Sequence, residues 1–170
     1  LYADFLTLAD KKGQVFDDDL EALLFNIQQQ DQQDFYHLQT LNVQSGGSEF
    51  ATSSIKLSKG DEHQIISATG NGPVDALYRA IKKAVDIDFE VSDYKISNKG
   101  EGEDGLGKAD IVVSWQGRNF HGYGLDTDVI KASGNALVNA LNAIHRAITI
   151  AELKTERASE LKNTTNNRQP

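Results

Sequence analysis

The chain has 170 residues, 39% of them hydrophobic and 25% charged, with a net charge of −8 and no cysteine. This is a normal length for one globular domain plus a small extra element. The acidic balance argues against nucleic acid and anionic membranes as partners, and the lack of cysteine excludes disulfides, thiolate metal sites and a cysteine nucleophile. No apolar run reaches spanning length and no signal peptide opens the chain, so a cytoplasmic location is expected. The absence of methionine leads to the expectation of a piece of a longer protein.

Leu1 to Lys12 places Tyr2, Phe5, Leu6 and Ala9 at helical spacing ahead of Gly13. Asp17-Asp18-Asp19 then opens a second helix, with Asp18 and Glu21 as a capping pair and Leu20, Leu23, Leu24 and Ile27 as its apolar face. The polar stretch Gln28 to Gln33 closes this expected helical linker subdomain, residues 1–34.

From Phe35 the period changes. His37 to Gln44 reads as extended, and Ser45-Gly46-Gly47-Ser48 as a turn. Ala51, Ser53, Ile55 and Leu57 alternate with polar residues, as in a half-buried antiparallel strand. After Lys59-Gly60-Asp61, His63 to Thr69 forms a third strand that ends at Gly70-Asn71-Gly72. Pro73 suits the first position of a helix, where a missing N–H costs nothing, and Val74, Leu77, Tyr78, Ile81 and Val85 form its apolar stripe.

The order then repeats. Phe89 to Ser97 is extended, Lys99 to Lys108 is a loop rich in glycine and acids, and Ala109, Ile111, Val113 and Trp115 alternate. A hairpin at Gln116-Gly117-Arg118-Asn119 leads to a strand, Phe120 to Gly124, that ends in a second Gly-x-Gly, Gly122-Tyr123-Gly124. The last helix starts near Thr127 and Asp128 and buries Ile130, Leu137, Leu141, Ile144 and Ile148, while Ala132, Ser133, Gly134 and Ala136 leave room for a close backbone. The reading is an α+β fold, residues 35–152, of two pseudo-symmetric βββα units (35–87 and 88–152) whose antiparallel strands are covered by two long helices. Residues 153–170 read as a polar, disordered tail.

Little in this pattern is catalytic. His37, His63, His121 and His145 stand singly, without metal-binding spacing, and no nucleophile elbow or phosphate loop is present. We therefore assign no catalytic residue, no metal ligand and no cofactor. The acid-rich loop Glu101 to Asp104 reads as a solvated loop or, alternatively, a glycine-hinged flap. The two Gly-x-Gly sequences read either as tight β-to-α turns or as places where backbone amides and a helix N-terminus meet a small anionic ligand. Asp75, in the first turn of its helix, reads either as a capping acid or as a partner for an ammonium group. In the second case the turn would read a zwitterion, with Val74, Leu106 and Leu125 against an aliphatic side chain.

Gly70-Asn71-Gly72-Pro73-Val74-Asp75-Ala76-Leu77-Tyr78-Arg79-Ala80-Ile81 resembles the signature of the C-terminal regulatory domain of the 2-isopropylmalate synthases. Gly122 to Asn142 and the opening Ala9 to Asp17 are similar to that family as well. The resemblance implies two βββα units, dimerisation, and L-leucine bound as a feedback inhibitor. It also implies a catalytic barrel N-terminal to and missing from this chain. That barrel is metal-dependent and condenses acetyl-CoA with 2-oxoisovalerate, so no divalent metal is expected in these residues. The family's ligand contacts fall here on Gly70, Asn71, Gly72, Pro73, Val74 and Asp75, then on Val91, Tyr94 and Ser97, and finally on Leu106, Gly107, Leu125 and Thr127. Two alternatives keep the same architecture: a citramalate synthase domain that binds isoleucine, and a purely structural dimerisation module.

Overall fold

Alternation of period two in the strands and apolar stripes of period 3.6 in the helices resolve into eight elements. In the computed structural model, which describes residues 34–46, 49–99 and 105–167, these are β1 (Tyr36–Gln44), β2 (Ala51–Lys59), β3 (Glu62–Gly70), α1 (Pro73–Ala84), β4 (Glu90–Lys99), β5 (Leu106–Trp115), β6 (Arg118–Asp126) and α2 (Val129–Asn166). The expected N-terminal helices and the acidic flap at residues 101–104 lie outside the described residues. The described elements all belong to one unit that begins at Phe35.

The strands form two separate antiparallel sheets, ordered β1-β2-β3 and β4-β5-β6, each followed by its helix. The two pseudo-symmetric βββα units are therefore present. Their equivalence extends to register: Gly107 pairs with Asp126 as Ala51 pairs with Gly70. Each first strand also skips one residue in its pairing, at Gln39 in β1 and at Ser92 in β4. A bulge shared at the same place in both units bends each edge strand in the same sense.

The central strands supply the floor of the core. Ala51, Ser53, Ile55 and Leu57 of β2, and Ala109, Ile111 and Val113 of β5, are buried. Above them α1 buries Ala76, Leu77, Ala80, Ile81 and Ala84, at the i, i+1, i+4, i+5 spacing of one helix face. Each fully buried Leu or Ile among these contributes roughly 1.5–3 kcal/mol relative to exposure.

The helix α2 lies directly on β6. A Cβ on Gly124 would meet the Ala132 carbonyl oxygen, and would sit 2.8 Å from the Ala136 nitrogen. One on Gly122 would meet the Ala136 oxygen and lie 2.9 Å from the Ala140 nitrogen. Four helical residues rise about 6 Å and two strand residues about 6.6 Å, so the two small-residue repeats stay in step. This corrects one expectation. Gly122 and Gly124 are not a turn but interior positions of β6, where only glycine lets the helix backbone settle; the turn comes later, at Thr127 and Asp128.

A second difference concerns the C-terminal end. Where a polar, disordered tail is expected from residue 153, α2 continues to Asn166. Glu152, Lys154, Glu156, Arg157, Ala158, Glu160 and Lys162 all favour helix, and no glycine or proline interrupts them. The Thr155, Thr164 and Thr165 hydroxyls donate to the carbonyls four residues earlier. All the residues from 149 to 167 are nonetheless exposed.

The units also interlock through α2. Its buried Asn142 accepts from the Tyr36 N–H at 2.8 Å and donates to the Tyr36 carbonyl at 3.0 Å. One residue earlier, the Phe35 carbonyl accepts from Gly60 N–H at 2.9 Å. The Phe35 ring stacks on His145 with centroids 4.0 Å apart and planes within 4°.

Candidate functional site

The two helix N-termini follow equivalent strand ends but are finished differently. At α2, the Asp128 carboxylate accepts from Ile130 N–H and the Asp126 carboxylate accepts from Asp128 N–H, both at 2.9 Å. Two acids therefore occupy the positive end of that helix. At α1 the N-cap is Gly72, which has no side chain to close the turn, and Pro73 follows. A Cβ on Gly72 would meet nothing within 4 Å, so this end is open. Open amides at a helix start are suited to a carboxylate.

Gly70 has the opposite surroundings. A Cβ there would lie 2.5 Å from the Ala76 nitrogen and 2.6 Å from the Asp75 carboxylate. Its glycine brings α1 onto the end of β3. Asp75 folds back over the turn, and its Oδ2 accepts from Asn71 N–H at 2.9 Å and from Arg79 Nε at 3.1 Å. The Asn71 amide, aided by Arg79, holds the Asp75 carboxyl below its ordinary range, although partial burial opposes this. Asp75 thus braces the turn ahead of α1, while the helix itself has no side-chain cap bond.

The remaining candidate residues divide between the two faces of the second sheet. Tyr94 is opposite Ile111, and Gly107 shares β5 with the buried Ala109, so both lie on the helix-facing side. Gly107 abuts the start of α2, since a Cβ on it would sit 3.2 Å from Val129 Cγ2. Val91 is opposite the buried Val113, on that same side. Beside Tyr94 the apolar side chains of Val91 and Ile96 stay partly exposed. Ser97 and Leu125 flank Lys108 on the opposite face, and Leu106, two residues before Lys108, shares it. Thr127 lies exposed between β6 and α2. The candidate residues are thus not all on one surface of a single chain.

Two residues that periodicity places only in the packing have polar roles next to Tyr94. The Tyr94 hydroxyl is 2.6 Å from Ser133 Oγ, and Ser133 Oγ donates to the Val129 carbonyl at 2.7 Å. The Tyr78 hydroxyl donates to the Ser133 carbonyl at 3.2 Å. The two tyrosine rings meet edge to face, 6.0 Å between centroids. Burial, with Tyr94 adding to it, pushes the Tyr78 phenol well above its usual range, so it stays a donor. Nothing in a 3.6-residue stripe marks Tyr78 as more than core. Ser133 stands out in the sequence only as a hydroxyl among small residues.

Among the described residues no three His, Asp or Glu side chains gather as a metal site. No described helix is long and apolar enough to cross a membrane.

Residues 14–145 match the family of the LeuA allosteric (dimerisation) domain. The chain is similar to the 2-isopropylmalate synthase of Aliivibrio fischeri, 55% identical over 157 residues, which are 92% of this chain and 30% of the relative. It is similar to those of Photobacterium profundum, 54% identical over 154 residues (91% of this chain and 30% of the relative), and Erwinia tasmaniensis, 51% over 162 residues (95% and 31%). The chain spans about 30% of the length of the curated relatives it matches.

Proposed function

The chain belongs to the LeuA allosteric (dimerisation) domain family, and on that premise we propose that it binds L-leucine as the feedback signal of a 2-isopropylmalate synthase and holds two copies of the protein together. The catalytic work, condensation of acetyl-CoA with 2-oxoisovalerate at a divalent metal, is assigned to a barrel outside these 170 residues. The observation that carries the reading is the contrast between the two helix starts. Where α2 is closed by Asp126 and Asp128, α1 is left open at Gly72. An amino-acid carboxylate completes the first turn of α1 as a capping side chain would. The aliphatic side chain then lies towards Tyr94, Val91 and Ile96, whose exposed apolar surface suits it. The outward-facing Ser97, Leu106 and Leu125 fit contacts made with a second copy.

Asp75 accepts from Asn71 and Arg79 through one carboxylate oxygen, and the other has lone pairs to spare for the ligand ammonium. Binding to the folded state must raise the melting temperature. Inhibition then requires that leucine favour one of two arrangements of the longer protein.

Isothermal titration of L-leucine, L-isoleucine and L-valine into the 170-residue chain tests the reading, with sedimentation to follow its mass. Leucine is expected to bind most tightly, to a dimer. Tighter isoleucine binding would transfer the chain to a citramalate synthase. A dimer that gives no heat and no rise in melting temperature with any of the three would leave only the structural role.

A further inference from the structure

Buried Ser133 ties its own helix α2 to two other elements, β4 through its hydroxyl and α1 through its carbonyl. The hydroxyl donates to the carbonyl of Val129, the first residue of α2. Because its proton is used there, the Tyr94 hydroxyl from β4 must be the donor in their 2.6 Å contact. Its own carbonyl accepts from Tyr78 of α1. Next to it, a Cβ on Gly134 would lie 2.8 Å from Leu38 Cδ2 and 3.2 Å from Leu77 Cδ2. The first unit thus packs directly on the second unit's helix at this point. Tyr78 lies on the helix that begins at the open turn, and Val129 begins the other helix, beside Gly107. Between them stands the Tyr94 ring, with Val91 and Ile96 exposed beside it.

From this arrangement we propose that Ser133 is a positioning residue for the amino-acid site. It touches no ligand itself. It fixes the Tyr94 ring and the spacing of the two helix starts, and so sets the size of side chain the site accepts. The Tyr94 hydroxyl proton is committed to Ser133, so Tyr94 does not donate to the ligand carboxylate. The inference rests on the leucine-site reading above.

Fine discrimination between leucine and valine comes from one methylene of fit, and a wall free to move by a fraction of an ångström forfeits it. The test is titration of leucine and valine into the chain and its Tyr94→Phe, Ser133→Ala and double variants. Tyr94→Phe keeps the ring and its packing against Tyr78 while losing the tether. Each single variant is expected to raise the leucine Kd about fivefold to tenfold, the range of one net hydrogen bond. The double variant should be no weaker than the weaker single, since both remove the same bond. The preference for leucine over valine should fall several-fold in each. General loss of folded protein would weaken both ligands by one factor and leave that preference unchanged. An unchanged preference with additive losses overturns the positioning role, as does wild-type binding by both single variants. A wild-type chain that binds neither amino acid overturns the site reading and this inference together.

Discussion

Replacing Gly72 with Asp should separate stability from binding. The backbone at Gly72 is extended, φ −163° and ψ 176°, a conformation open to any residue. A Cβ there projects into open space. Asp is among the best N-cap residues, and its carboxylate can take the first-turn amides that glycine leaves open, a gain over glycine of about a few tenths of a kcal/mol. The nearby Asp75 carboxylate, already bonded to Asn71 and Arg79, opposes this by a few tenths of a kcal/mol at such an exposed site. The two nearly cancel, so the net expectation is a stability within about 0.5 kcal/mol of the wild type, about 2 °C or less in melting temperature for a domain of this size. On the proposed reading leucine binding should vanish, because the new carboxylate would take the place proposed for the ligand's and repel it. Differential scanning calorimetry and isothermal titration on the same samples check both halves. A fall of several degrees would show that the N-cap is not open, and unaltered leucine affinity would remove the carboxylate from this turn.

Gly70→Ala and Gly124→Ala should each cost about 2–4 kcal/mol in chemical denaturation, since the added methyl meets main-chain atoms that cannot yield. Asn142→Ala should cost about 2–4 kcal/mol, because both polar groups of the buried Tyr36 backbone lose their partner; a loss under 0.5 kcal/mol would contradict the bridge. Burial, reinforced by Arg146 and only partly offset by Glu152, lowers the His145 pKa below 6.5. The unfolded chain therefore binds the proton more readily. The stability contributed by neutral His145 is complete above pH 6.5 and is lost as pH falls through the lower folded value. His145→Phe, which keeps a ring on Phe35, should flatten that part of the profile of melting temperature against pH.

Strand alternation, clearest in the central strands β2 and β5, and the two helical stripes were enough to read the duplicated βββα order. The second glycine pair was misplaced for a physical reason. Gly-x-Gly at a strand end looks the same whether it turns the chain or admits a helix. What distinguishes the two is a partner far along the sequence, Ala132, Ala136 and Ala140 at four-residue spacing. The long end of α2 was missed because its signal is the absence of breakers rather than an apolar face. At the site, the openness of Gly72 was suggested by its lack of a side chain. The tether of Tyr94 to Ser133 joins residues 39 apart, and no local pattern encodes it. The assignment of residues to the two faces of the second sheet depends on the skipped residue at Ser92, since a bulge reverses the alternation that a sequence reading extrapolates.

The Asn142 bridge has a consequence for the edge of the first sheet. Its side-chain amide gives Tyr36 both hydrogen bonds that a neighbouring strand would give. In effect it is a one-residue strand supplied by a helix. The first amide of an edge strand ordinarily exchanges with solvent within the fraying time of the strand end. That of Tyr36 should instead exchange as slowly as the amides of the central strand β2, so that the sheet is sealed at the point where the chain enters it.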